Sequence, residues 1–180
     1  MNIARRLGRT FLVVVLFSAV GVVGPASAAE GAKPTRTVTT VPEPFVIPAG
    51  EGCTFPVAAE AESVRVTTIE FADGRIVTHD IADPTLTNVD TGKSLVHRSR
   101  FSATDWPSSV EGEIVFETSG QLFMTVFPGD QGPYGLVGYP GLLLSVNGHT
   151  RVTMDSSTFV YTSFSLNGTA TDLCAALAPE

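Results

Sequence analysis

The sequence predicts an all-β fold, an antiparallel up-and-down barrel of about eight strands, and three observations predict it. Short runs rich in Val, Ile, Thr and Phe follow one another from Phe55 onward. Asp73-Gly74, Asn147-Gly148 and Asn167-Gly168 stand between such runs, and these dipeptides favour two-residue hairpin turns. Almost nothing after residue 28 carries a helical period. Sequential hairpins give a meander, and closing a meander removes its exposed edges. The same spacing permits a two-sheet β-sandwich as the alternative.

The chain opens with a secretory signal over residues 1–28. Arg5, Arg6 and Arg9 charge its start, Phe11 to Val23 is apolar, and Ala26-Ser27-Ala28 is a small-residue cleavage site, cut after Ala28. The apolar run is shorter than the roughly 18 to 20 residues a spanning helix needs. No cysteine follows directly on the cut, and no second apolar run suggests an anchor. The expectation is a secreted, extracellular protein. Removing residues 1–28 takes three of the eleven basic residues and none of the eighteen acidic ones, which leaves eight against eighteen, a formal charge of −10. An acidic chain without Lys/Arg clusters lacks the counter-charge that nucleic acid or an anionic membrane demands.

Cys53 and Cys174 are the two cysteines, one towards each end. In an oxidising compartment they have a single intramolecular pairing, a disulfide that fastens the ends of the fold. Neither has the CxxC neighbour or basic setting of a redox site.

Ala29 to Pro44 is rich in Thr, Pro and Ala and is expected to be a flexible leader, with the single all-β domain spanning residues 45–180. Ser63 to Phe71 and Arg75 to Ile81 are strands about Asp73-Gly74. Thr85 to Val89 and Lys93 to Ser102 are strands about the three-residue loop Asp90-Thr91-Gly92, with glycine in the left-handed position. Ala103 to Ser109 is expected to be a loop.

Val110 to Phe127 is the centre of the pattern and predicts two strands meeting at Ser119-Gly120. In the first, Val110, Ile114 and Phe116 hold one parity and Glu111, Glu113 and Glu117 the other, so one face is dry and one wet. In the second, Leu122, Met124 and Val126 alternate with Phe123 and Phe127, so both faces are covered. Glycines 129, 132, 135, 138 and 141 then recur every third residue in a long surface loop, far too short a run for a collagen helix. Leu142 to Asn147, His149 to Asp155 and Thr158 to Leu166 complete the sheet. Thr169 to Leu177 ends in one or two helical turns carrying Cys174, with Thr171 as the expected N-cap.

No catalytic template is present: the sequence has no GxSxG, HExxH, phosphate-binding loop, EF-hand or zinc spacing. No cofactor or metal is expected. His79, His97 and His149 lie on different strands, and a site shared among them requires that the fold gather them. Arg98 and Arg100 share a parity, facing Glu113 and Glu117 if their strands are neighbours, or an anion if both guanidiniums are free. Trp106, Tyr134 and Tyr139 are the loop aromatics, as a binding rim uses; Trp106 folding back over the sheet end is the plainer alternative. Tyr161, with His97 and Arg98, is the constellation that an enzyme working inside a barrel would use.

The segments PFVIPAGEGCTFPV, TLTNVDTGKSLVHRSRF, FPGDQGP and SFSLNGTATDLCAAL resemble those of a group of uncharacterised secreted actinobacterial proteins, over about Phe45 to Leu177. The resemblance implies export and a pairing of Cys53 with Cys174, and no activity. The expected architecture is also similar to the allene-oxide-cyclase/dirigent type of eight-stranded barrel, an analogy of fold alone. The function expected is that of a secreted, non-enzymatic small barrel that binds a small apolar ligand or a protein partner. A structural envelope-associated protein and a barrel-type enzyme are the alternatives.

Overall fold

The structure, a computed structural model, describes residues 33–40 and 44–179. The signal lies outside the described residues. The chain is all-β, its strand pairings are antiparallel, and it ends in one helical turn. In order the strands are β1 (Thr35–Thr39), β2 (Phe45–Ile47), β3 (Val57–Glu60), β4 (Val64–Glu70), β5 (Ile76–Ala82), β6 (Thr85–Asn88) and β7 (Ser94–Val96). Then come β8 (Ser99–Pro107), β9 (Glu113–Val126), β10 (Gln131–Gly132), β11 (Gly135–Leu136), β12 (Leu142–Asp155), β13 (Tyr161–Asp172) and the helix α1 (Leu173–Leu177).

Two sheets carry the fold. The larger has seven strands in the order β1-β4-β5-β8-β9-β12-β13, and the smaller has four in the order β2-β3-β6-β7. The chain thus leaves the larger sheet after β5, builds β6 and β7 in the smaller, and returns with β8. Among the described residues no pairing joins β1 to β13, so the ladder does not close. Thr35–Thr39, expected in the flexible leader, is instead a strand paired with β4.

Three expected turns are not turns. Ser119-Gly120, Asn147-Gly148 and Asn167-Gly168 lie in the middle of β9, β12 and β13, and each pair of predicted short strands is one long strand. The glycines stand in one row: Gly120 faces Gly148, Gly148 faces Gly168, and Gly120 faces Phe101 of β8 on its other side. The turn type expected of Asn-Gly needs positive φ at both residues, and here only the glycines have it. Gly120 has φ +122° and Gly148 φ +140°. A Cβ on Gly120 would strike the carbonyl oxygen of Arg100, and one on Gly148 that of Asn167. In-register glycines of this kind let a wide sheet coil sharply where side chains would jam.

The chain does turn at Asp73-Gly74 and at Asp90-Thr91-Gly92, with Gly74 at φ +83° and Gly92 at φ +73°. Each loop is one residue longer than expected: the Phe71 N–H donates to the Arg75 carbonyl around three residues, and the Asn88 N–H to the Lys93 carbonyl around four. Asn88 secures the second, its Oδ1 accepting from the backbone N–H of Asp90 at 3.0 Å. The predicted strand Lys93 to Ser102 divides at His97-Arg98, because β7 and β8 belong to different sheets. The predicted loop Ala103 to Ser109 is mostly strand, β8 running on to Pro107 against β9. The glycine-rich stretch is a loop with a small β10–β11 hairpin, pinned by the buried Val137.

The far half of β9 is covered on both faces, as its sequence required. Leu122, Met124 and Val126 are buried with Leu144 and Val146 on one face, which is termed here the packed face. The packed face continues beyond the glycine row through Ala103, Phe116, Val152 and Met154. On the outer face, Leu143 joins Ile47, Val57 and Leu86 of the smaller sheet with Leu173 and Leu177 of α1. Leu143 and Leu144, neighbours in sequence, are 0% and 1% exposed: the smaller sheet and α1 cover the first, and the second packs among residues of β9, β12 and the Val137 loop. The Cys53–Cys174 disulfide ties α1 to the turn before β3, Cα to Cα 5.5 Å. The N-cap of α1 is Asp172, not Thr171: its Oδ1 accepts from the N–H groups of Cys174 and Ala175 at 2.8 and 3.4 Å, while Thr171 remains in β13.

Candidate functional site

An open cleft of about 640 Å³ lies at the seam of the two sheets, lined by Asp83, Leu95, Val96, His97, Arg98, Gln121 and Leu173. Topology creates it. The chain crosses from β7 to β8 through His97-Arg98, and α1 closes the far side, so edge strand, crossover and helix enclose one hollow. Leu95, Val96 and Leu173 give it an apolar lining, and Val96 is 69% exposed.

His97 sits behind this lining, buried. Its Nε2 is 2.8 Å from the Ser145 hydroxyl, its Nδ1 3.3 Å from that of Ser99, and its ring meets the edge of Phe123. Burial lowers its pKa, so the imidazole is neutral at pH 7. With both nitrogens engaged, the imidazole fastens the β7–β8 crossover to β8 and β12.

Arg98 and Arg100 do converge, but on Asp83 and not on Glu113 and Glu117. Arg100 donates from Nη2 to Asp83 at 2.8 Å and from Nη1 to the carbonyls of Ala82 and Ser99, each at 2.6 Å. The hydrogen bond from Arg100 is the main reason the Asp83 carboxyl is held below its usual range. Arg98 is only 4.0 Å from the same carboxylate and largely exposed. The β8–β9 register explains the correction: Arg100 faces Gln121, while Glu117 faces Thr104 on one side and pairs with Arg151 on the other. Arg100 is therefore structural, and Arg98 is the cation at the cleft with a mostly solvated head.

The other expected residues lie elsewhere. Trp106 is a half-buried residue of β8 facing Val115, not a loop aromatic. Tyr134 and Tyr139 are exposed on the glycine-rich loop, and the Tyr139 ring lies where a side chain on Gly50 would have to go. Tyr161 packs on the packed face with Phe164, on the opposite side of the sheet from His97, so His97, Arg98 and Tyr161 form no common constellation. His79 and His149 share one cross-strand row with Ser102 and Ser119 between them, His79 bonding Ser102 at 2.7 Å and His149 bonding Ser119 at 3.0 Å. Among the described residues no group of His, Cys, Asp or Glu is arranged to hold a metal ion.

The packed face also holds polar groups that no sequence pattern singles out. Thr78, Thr118 and Thr150 are each 1% exposed and Asp105 is 6% exposed. Among the described residues the three hydroxyls and Asp105 Oδ1 find no hydrogen-bond partner. A buried unsatisfied group costs roughly 1–3 kcal/mol. Burial pushes the Asp105 pKa up to about 7, and burial opposed by Arg100 brings Asp80 up to about 6. Their sequence signal was faint: threonine suits any strand, and Asp105 stood in an apparent loop.

Compared with protein-family models, curated proteins and solved structures, the chain has no match. No helix among the described residues is long and apolar enough to cross a membrane.

Proposed function

We propose that this chain is an exported, non-enzymatic binding protein that takes a small apolar ligand with an anionic end in the cleft between its sheets. The observation that carries this reading is the exposed Val96 beside Arg98, over a lining of Leu95 and Leu173. Apolar walls with one or two placed polar groups are the general chemistry of small-molecule sites. Arg98 is loosely held by Asp83 and supplies the charge for a carboxylate or phosphate end. Gln121 adds an amide to the opposite wall.

In this reading the seven-stranded sheet curls about its glycine row into an incomplete barrel, and the smaller sheet lies over one flank as the second layer of a sandwich would. The burial of a whole face that the smaller sheet does not cover supports the curl. Export is supported by the basic and apolar start of the chain, by the disulfide, which belongs to oxidising compartments, and by the likeness to secreted actinobacterial proteins.

Native mass spectrometry of the purified protein tests the reading. The expected result is an added mass on the monomer that denaturation releases and that Val96→Asp or Arg98→Glu abolishes. A ligand-free oligomer would point to a structural envelope role instead, and an added mass retained by both variants would remove the cleft from the account.

A further inference from the structure

The packed face of the larger sheet carries a cross-strand row of polar residues interrupted by one small residue, Ala103. Ala103 faces Thr78 on one side and Thr118 on the other, and Thr118 faces Thr150. Asp105 lies two residues along β8, and Asp80 faces Phe101, the residue two positions in the other direction. Strand parity aims all of these at the same side of the sheet.

Aromatic side chains pack on the same face. Phe101, Phe116, Phe159, Tyr161 and Phe164 pack in the same cluster, with Phe116 directly opposite Asp105. Carboxyl and hydroxyl oxygens that find no partner among the described residues, packed beside aromatic side chains, match one ligand chemistry well. A carboxylate supplies the counter-charge, and the rings attract a cation through their faces. A neutral apolar ligand would leave the buried oxygens unpaired, and an anion would be repelled by both aspartates.

We propose that the packed face holds a second site, centred on Ala103, that takes a small organic ammonium ion with Asp105 as its counter-ion and Thr78, Thr118 and Thr150 as hydrogen-bonding partners. The site shares no residue with the cleft between the sheets and does not rest on it. Asp80 from β5 lies beside it, Glu70 from β4 ends the cross-strand row of Asp105, and Asp130 and Tyr161 approach from the β13 side. The described residues of β9 and β12 add no titratable group to this face. Asp105 must lose its proton to act, so binding strengthens as pH rises.

The test is calorimetric titration of the purified full chain with choline and with its neutral carbon isostere, 3,3-dimethylbutan-1-ol. Choline is expected to bind about tenfold tighter than the isostere at pH 8, and about tenfold tighter at pH 8 than at pH 5. Asp105→Asn is expected to lose that preference, while Arg98→Ala in the cleft keeps it. Equal binding of the two probes, or no binding of choline at pH 8, overturns the proposal and leaves these oxygens to ordered water. If Asp105→Asn fails to fold, Thr118→Val and the pH profile of the unaltered protein decide: an unchanged affinity in both overturns it equally.

Discussion

Gly120 and Gly148 face each other across β9 and β12, each at positive φ and each too close to a neighbouring backbone carbonyl to accept a side chain. Gly120→Ala is expected to cost about 3 kcal/mol, combining a glycine-only backbone region with a backbone clash. Gly92→Ala, at a turn with open space around it, should cost about 1 kcal/mol. Urea denaturation of the two variants against the parent measures the difference, and equal losses would mean that the glycine row tolerates a Cβ.

The stability of the protein should fall as Asp105 ionises. Its folded-state pKa of about 7 lies above its ordinary value, so the fold prefers the protonated carboxyl. That contribution is complete below about pH 4 and is lost as pH rises to about 7, on the order of 4 kcal/mol at most. His97, buried and neutral, acts the other way: the unfolded chain takes up its proton first as pH falls. The informative quantity is therefore the stability of the parent relative to Asp105→Asn, which should decline between pH 4 and pH 8.

Arg98 and Arg100 should differ sharply. Arg100→Ala leaves the Ala82 and Ser99 carbonyls and Asp83 without their donor, at a cost of roughly 2 kcal/mol. Arg98→Ala removes an exposed charge and should change stability by about 0.5 kcal/mol or less. Thermal unfolding of both variants checks this, and the reverse ranking would exchange the roles given to them.

Reducing Cys53–Cys174 frees a loop of 121 residues. In the chain-entropy model this costs about 4 to 5 kcal/mol. The Cys53→Ser, Cys174→Ser double variant should show that loss in its denaturation midpoint. The intact parent, under denaturing conditions, should weigh two hydrogen atoms less than its reduced form.

Ser145→Ala removes the hydroxyl that engages His97 Nε2 and should cost about 1 to 2 kcal/mol. The shift should appear in the His97 ring resonances by NMR as well as in stability. A silent variant would mean that packing on Phe123 alone holds the ring.

The sequence by itself determined the all-β character, the covered far half of β9 and the pairing of two cysteines. The doubly covered run 121–127, the turns at Gly74 and Gly92 and the disulfide follow from short-range pattern, where neighbours along the chain decide the outcome. The wet and dry parities expected of residues 110–118 do not hold as drawn: Val110 precedes β9 and is exposed, and Val115, on the parity of the glutamates, is buried. What only the tertiary structure decided was which residues meet across strands. An Asn-Gly pair carries the same local signal in a hairpin turn and at a bend inside a long strand, and the choice depends on whether neighbouring strands present glycines in register. The destination of His97, Arg98 and Arg100 likewise turned on a crossover between sheets, which interrupts parity without leaving a mark in the residues themselves. The buried row through Ala103 draws its members from four strands, and register, a property of pairing rather than of any one segment, brought them together.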